Sequence, residues 1–154
     1  MANLVIDTAL DSVLDRIGFI KREMFIWGDE TEYLERALRK KLKVATVIEA
    51  KHYHPRVKGT YVRLPFSIGS VMVKPRDKMK IYARNLGYID KTYHSSKISV
   101  KNRTKYFLYY IIKERGDIRG YRDFLNYYKD GYRDTYDLYP SRSDLLCRDI
   151  TADC

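Results

Sequence analysis

Two histidines one residue apart, His52 and His54 in "VIEAKHYHP", are the most chemically suggestive pair in this sequence. On an extended strand, residues two apart project to one face, so both imidazoles could reach one divalent ion. Glu49 could add a hard oxygen ligand if the chain bends between them. Downstream, "GYIDK" sets Tyr88 three residues ahead of Lys91, on or near a helix. A metal-free use of the same histidines is also open, with Lys51 and Arg56 nearby, as acid and base in RNA cleavage.

The order of these residues resembles the HUH single-strand DNA endonucleases, a family that includes viral replication initiators. The resemblance covers about residues 44–91. It implies that Glu49, His52 and His54 hold one divalent metal that polarises a scissile phosphate. It further implies that Tyr88 attacks that phosphate and stays covalently linked, with Lys91 contacting the phosphate or the transition state. A second pattern overlaps the first. "YARNLGYIDKTYHSSKI" looks like a helix-turn-helix with Gly87 at the turn, which would offer Lys91, Thr92, Ser95 and Lys97 to a major groove. Walker, GxGxxG, CxxC and GxSxG signatures do not occur in the sequence.

The elements that must position these residues follow from periodicity. Residues 3–17 read as an amphipathic helix, with Ile6, Leu10, Val13, Leu14 and Ile17 on one face and Asp7, Asp11 and Asp15 opposite. Residues 30–43 read as a second helix, acidic at its start and basic at its end, in accord with the helix dipole. β-Branched and aromatic runs across residues 44–73 predict a small antiparallel sheet of about three strands. Helical spacing returns after Pro75. It recurs in "RTKYFLYYIIKER", in "DIRGYRDFLNYYKD" with Gly131 after it, and in "SRSDLLCRDI". The expected class is α+β, a small sheet flanked by N-terminal and C-terminal helices.

At 154 residues, 45% hydrophobic and 32% charged, the chain fits one folded domain over 1–154. No stretch approaches the roughly 20 apolar residues that a bilayer crossing needs, so no membrane partner is expected. The aspartates of the first 15 residues do not suit a signal or transit peptide, and Cys147 and Cys154 make no disulfide framework. The expected setting is intracellular, or a virus particle.

The charge is unevenly placed. Residues 1–35 hold 3 basic and 8 acidic residues, residues 36–105 hold 19 basic against Glu49, Asp77 and Asp90, and residues 106–154 hold 8 basic and 9 acidic. A block this unbalanced repels itself unless a polyanion is near, which points to nucleic acid. The expected contacts are Lys51, Arg56, Lys58, Arg63, Lys74, Arg76, Lys78 and Lys80. The C-terminal part is near neutral and holds nine of the 15 tyrosines. Tyr106, Tyr109, Tyr110, Tyr121 and Tyr128 there suggest core and a subunit interface, because tyrosine favours both. The leading expectation is therefore a non-enzymatic nucleic-acid-binding protein, viral or phage, acting in an oligomeric assembly or as a regulator. The nickase and the helix-turn-helix regulator are the alternatives.

Overall fold

The computed structural model describes residues 4–6, 10–46, 48–49, 51, 53, 60–65 and 67–136. Four short strands and five α-helices lie among these residues, and the class is α+β. The first apolar run divides. Leu4–Ile6 forms strand β1 and Leu10–Ile17 forms helix α1, where a single helix over 3–17 is expected from the sequence. The β-branched Val5 and Ile6 suit a ladder, and β1 pairs antiparallel with β2, Val44–Thr46, in the register Val5↔Ala45. Helix α2 spans Asp29–Arg39 and ends short of residue 43 because Lys41 turns to φ 56° and the Leu42 amide bonds back to the Ala37 carbonyl at 3.0 Å. Val13, Ile17 and Ala37 bury together between α1 and α2.

Strands are present at the three places expected over 44–73, but they belong to two ladders. Among the described residues β3, Thr60–Arg63, pairs only with β4, Ser70–Val73, in an antiparallel hairpin with Arg63 opposite Ser70. β2 pairs with the N-terminal strand instead. The sequence of the strands was legible; their partners were not, because pairing is a non-local choice.

Helix α3, Arg76–Thr92, runs unbroken through Gly87, so the turn expected at that glycine does not exist. The turn comes later, at Tyr93–Ser95, and leads into α4, Ser96–Leu108. α4 then widens into a five-residue π-turn over Tyr109–Lys113, and α5 follows at Ile118–Tyr132. Asp117 caps α5, its Oδ1 accepting from the Gly120 amide at 2.8 Å.

Gly131 lies inside α5 rather than after it, and its role pairs with that of Gly87. A Cβ on Gly87 would stand 2.0 Å from the Tyr128 carbonyl oxygen, and a Cβ on Gly131 would stand 1.7 Å from that of Arg84. α3 and α5 therefore meet backbone to backbone, and only glycine permits it. Around this crossing Leu64, Val71, Met79, Ala83, Tyr106, Tyr109, Phe124 and Tyr128 form the larger core cluster. Tyr106 stacks on Phe124 with ring centroids 4.3 Å apart.

A solvent-facing helical Gly→Ala ordinarily gains about 1 kcal/mol. Gly87→Ala and Gly131→Ala should instead each lose about 1–3 kcal/mol, because the backbones must part. Urea midpoints measure this directly, and a raised midpoint for either variant would contradict the close crossing.

Candidate nucleic-acid interface

The basic surface is built on a buried carboxylate. Asp90 is 1% exposed, on the last full turn of α3. Its oxygens accept from the Tyr128 hydroxyl at 2.8 Å and from the Asn102 amide at 2.9 and 3.0 Å. His94 Nδ1 lies 2.7 Å away, a contact that puts the proton on that nitrogen. The Asp90 carbonyl also accepts from Ser99 Oγ at 3.3 Å. One carboxylate thereby ties α3 to α4 through Asn102 and to α5 through Tyr128.

The same bonds orient α4. With Ser99, Asn102 and Tyr106 turned inward, helical geometry sends Lys97, Lys101 and Thr104 to the opposite side, and all three are exposed. The Tyr106 hydroxyl donates to the Met72 carbonyl at 2.8 Å, which fixes α4 against β4. Lys105 leans toward the hairpin end, where a Cβ on Gly69 would meet its Nζ at 3.1 Å. Tyr61 and Arg63 are exposed on the outer face of β3, Tyr61 at 68%. Neither α4 nor the segment from Thr60 to Val73 contains an acidic residue.

Arg63, Lys97, Lys101, Arg103 and Lys105 have no carboxylate within ion-pair distance among the described residues. Lys97, Lys101 and Lys105 follow one another at i, i+4 and i+8. Like charges at that spacing cost a helix about 0.2–0.5 kcal/mol per pair. The arrangement can hold a row of phosphates, with Tyr61 as an exposed ring for a base.

The residues expected from the sequence fall in different places. Lys51, Arg63, Arg76 and Lys78 are exposed, and Lys80 is half-buried. Arg56 and Lys58 lie outside the described residues. Lys74 does not belong to the open surface. It is 6% exposed, with its ammonium 4.3 Å from the Trp27 ring centroid, and burial pulls its pKa down. Of the α4 bases only Lys97 is expected from the sequence, in the helix-turn-helix alternative. Lys101, Arg103 and Lys105 are not among the expected contacts, although a signal is present, since six basic residues and no acid separate Asp90 from Glu114.

For the nickase set, Glu49 is exposed in a turn, while His52 and His54 lie outside the described residues. Tyr88 is half-buried, packed edge-on against Tyr136 with the Lys21 ammonium 4.4 Å from its centroid. Lys91 reaches instead toward Tyr132, 4.9 Å from its ring centroid. Tyr88 and Lys91 thus pack on different rings. The helix-turn-helix expectation changes in the same way, since Gly87, Tyr88 and Lys91 all lie within α3.

Three tyrosines of the expected interface have no surface to give a partner. Tyr106, Tyr109 and Tyr128 are buried in the chain's own core, while Tyr110 and Tyr121 are half-buried beside it. Burial raises the pKa of all five. Asp90 adds to this at Tyr128 and Glu114 at Tyr109, and Tyr110 is pushed up to about 12. Large exposed apolar side chains are spread over several elements, among them Phe19, Phe25, Ile48, Val100 and Ile118. Among the described residues no helix is long and apolar enough to cross a membrane. Protein-family models, curated proteins and solved structures give no match to this chain.

The raised tyrosines set a stability slope. Their protonated form is favoured in the folded state, so the stability they contribute is complete below the unfolded value of about 10 and is lost as pH rises above it. The urea midpoint should fall steadily through that alkaline range. Tyr128→Phe should cost about 1–3 kcal/mol at neutral pH, by taking a donor from Asp90, and should flatten the alkaline slope. A slope equal to that of the wild type would remove Tyr128 from this account.

Proposed function

We propose that this protein binds nucleic acid through α4 and the adjoining β3–β4 hairpin, without catalysing a reaction on it. The observation that carries the reading is the row Lys97, Lys101 and Lys105, with Arg103 beside it, none with a carboxylate partner among the described residues, on a helix docked by a buried carboxylate. A phosphate backbone would relieve the repulsion within that row, and release of its counterions would supply most of the affinity. Arg63 and Tyr61 extend the surface past Gly69, adding one more cation for a phosphate and one stacking platform. The buried face of α4 is occupied by Ser99, Asn102 and Tyr106, so a ligand would meet an ordered helix rather than fold one.

The test is binding of a labelled oligonucleotide, single-stranded and duplex, followed by anisotropy across a salt series. The charge-reversed Lys97→Glu/Lys101→Glu variant should bind at least about tenfold more weakly at low salt. Its log–log salt slope on duplex should be shallower by roughly 0.9 for each phosphate that the variant no longer neutralises. Lys113→Glu, an exposed reversal beyond α4, serves as the comparison and should change far less. If the α4 reversal binds with wild-type affinity and slope, the reading fails.

A further inference from the structure

A second site lies at the π-turn, apart from α4. A cavity of about 400 Å³ opens between the start of α3 and the corner where the π-turn meets α5, and no residue of α4 lines it. That volume is near the small end of the range for pockets that enclose one organic ligand.

The cavity has two unlike walls. Lys74, Arg76 and Lys80 stand on the side of β4 and α3, and Glu114, Asp117 and Asp123 on the side of the π-turn and α5. The acids are partly spoken for. Glu114 accepts the Tyr109 hydroxyl, and Asp117 caps Gly120 and lies 3.6 Å from Arg76. The two lysines are not. Lys74 is only 6% exposed, yet neither it nor Lys80 has a carboxylate within ion-pair distance among the described residues. The Lys74 side chain is mostly covered, its ammonium lies over the Trp27 ring, and the residue lines the cavity, so an anion bound there would supply the counter-charge that it lacks among the described residues. On the acidic side the lining also includes Tyr110 of the π-turn and Phe124 and Tyr127 of α5.

We propose that this cavity binds a mononucleotide, with the phosphate against Lys74 and Lys80 and an amino-bearing base among the tyrosines, donating to Asp123. Each part answers a feature of the walls. Two unmatched cations call for an anion of more than one charge, and phosphate supplies it. Aromatic rings beside the acids call for a flat apolar group. The Asp123 carboxylate, without an ion-pair partner among the described residues, calls for an N–H donor; adenine, cytosine and guanine offer an exocyclic amine with two hydrogens, uracil only its single ring N–H. The cavity holds one such unit and not a strand, so this site stands apart from the α4 surface and does not depend on it.

Titration calorimetry of the whole chain with AMP, CMP, UMP, adenosine and inorganic phosphate tests the assignment. Saturable binding of AMP and CMP is expected, with UMP, adenosine and phosphate each weaker by about tenfold or more. Lys74→Met, which keeps the length of the side chain over Trp27, should lose at least about tenfold in AMP affinity. Lys80→Gln, at a half-exposed position where folding is not in question, should lose a similar factor. The α4 variant Lys97→Glu/Lys101→Glu should bind AMP as the wild type does, which separates this site from the nucleic-acid surface. Failure of AMP to saturate overturns the proposal, as does adenosine or phosphate binding as tightly as AMP. Unchanged affinity in Lys80→Gln overturns it even if Lys74→Met does not fold.

Discussion

The placement of α4 depends on the carboxylate of Asp90. Removing such a group from water costs several kcal/mol unless donors replace the lost hydration. Here the donors come from three directions: Tyr128 on α5, Asn102 on α4 and His94 in the connection between α3 and α4. α4 has little apolar surface turned inward, and Ile98, Val100 and Phe107 all remain substantially exposed. Hydrophobic burial alone would not choose the rotation of this helix about its axis. The hydrogen bonds to Asp90 do, and they thereby decide which side chains face outward.

Asp90 can reach Tyr128 only because α3 and α5 approach as closely as they do. The glycines at 87 and 131 remove the side-chain layer that normally holds two helices 8–10 Å apart. The other side of α3 performs a different task. Asn85, wholly buried, donates to the carbonyls of Met24, Ile26 and Trp27, and Arg84 donates to that of Glu23. These bonds hold a loop in which Phe25 and Trp27 both sit at positive φ, a conformation that costs of order 1 kcal/mol or more for each such residue. The strained loop sets the Trp27 ring beneath Lys74. One helix thus organises both the basic surface and the wall of the cavity.

Much of this was legible in the sequence, and what was not has a physical cause. The α+β class and the positions of α3 and α5 followed from periodicity, which is local. The excess of bases over residues 36–105 was plain from counting. Its division into an exposed row on α4 and a buried Lys74 was not, because burial depends on what packs above a residue. By sequence alone Gly87 and Gly131 both read as punctuation, one as a turn and one as a stop. Sequence cannot separate a glycine that frees the backbone from one that makes room for another backbone. Tyr106, Tyr109 and Tyr128 were assigned in part to an interface for a similar reason, since tyrosine suits core and interface alike.

The abundance of tyrosine and the surplus of unpaired bases have a common origin in how the acids are satisfied. Buried Glu32 accepts from the Tyr93 hydroxyl at 2.6 Å, buried Asp90 from Tyr128, and Glu114 from Tyr109. A lysine or arginine could have served in each place, at the cost of desolvating a second charge. A hydroxyl on an aromatic ring does the same pairing while its ring fills core volume, and it leaves the cation outside. Among the described residues, only Glu32 of these three acids also has an arginine partner, Arg36 at 2.6 Å. Each carboxylate satisfied by a tyrosine is one fewer anion to neutralise a lysine. With Asp90 held inward and satisfied in part by the Tyr128 hydroxyl, it neutralises none of the α4 bases, which have no carboxylate partner among the described residues, so tyrosine shapes the charge of the surface from inside the core.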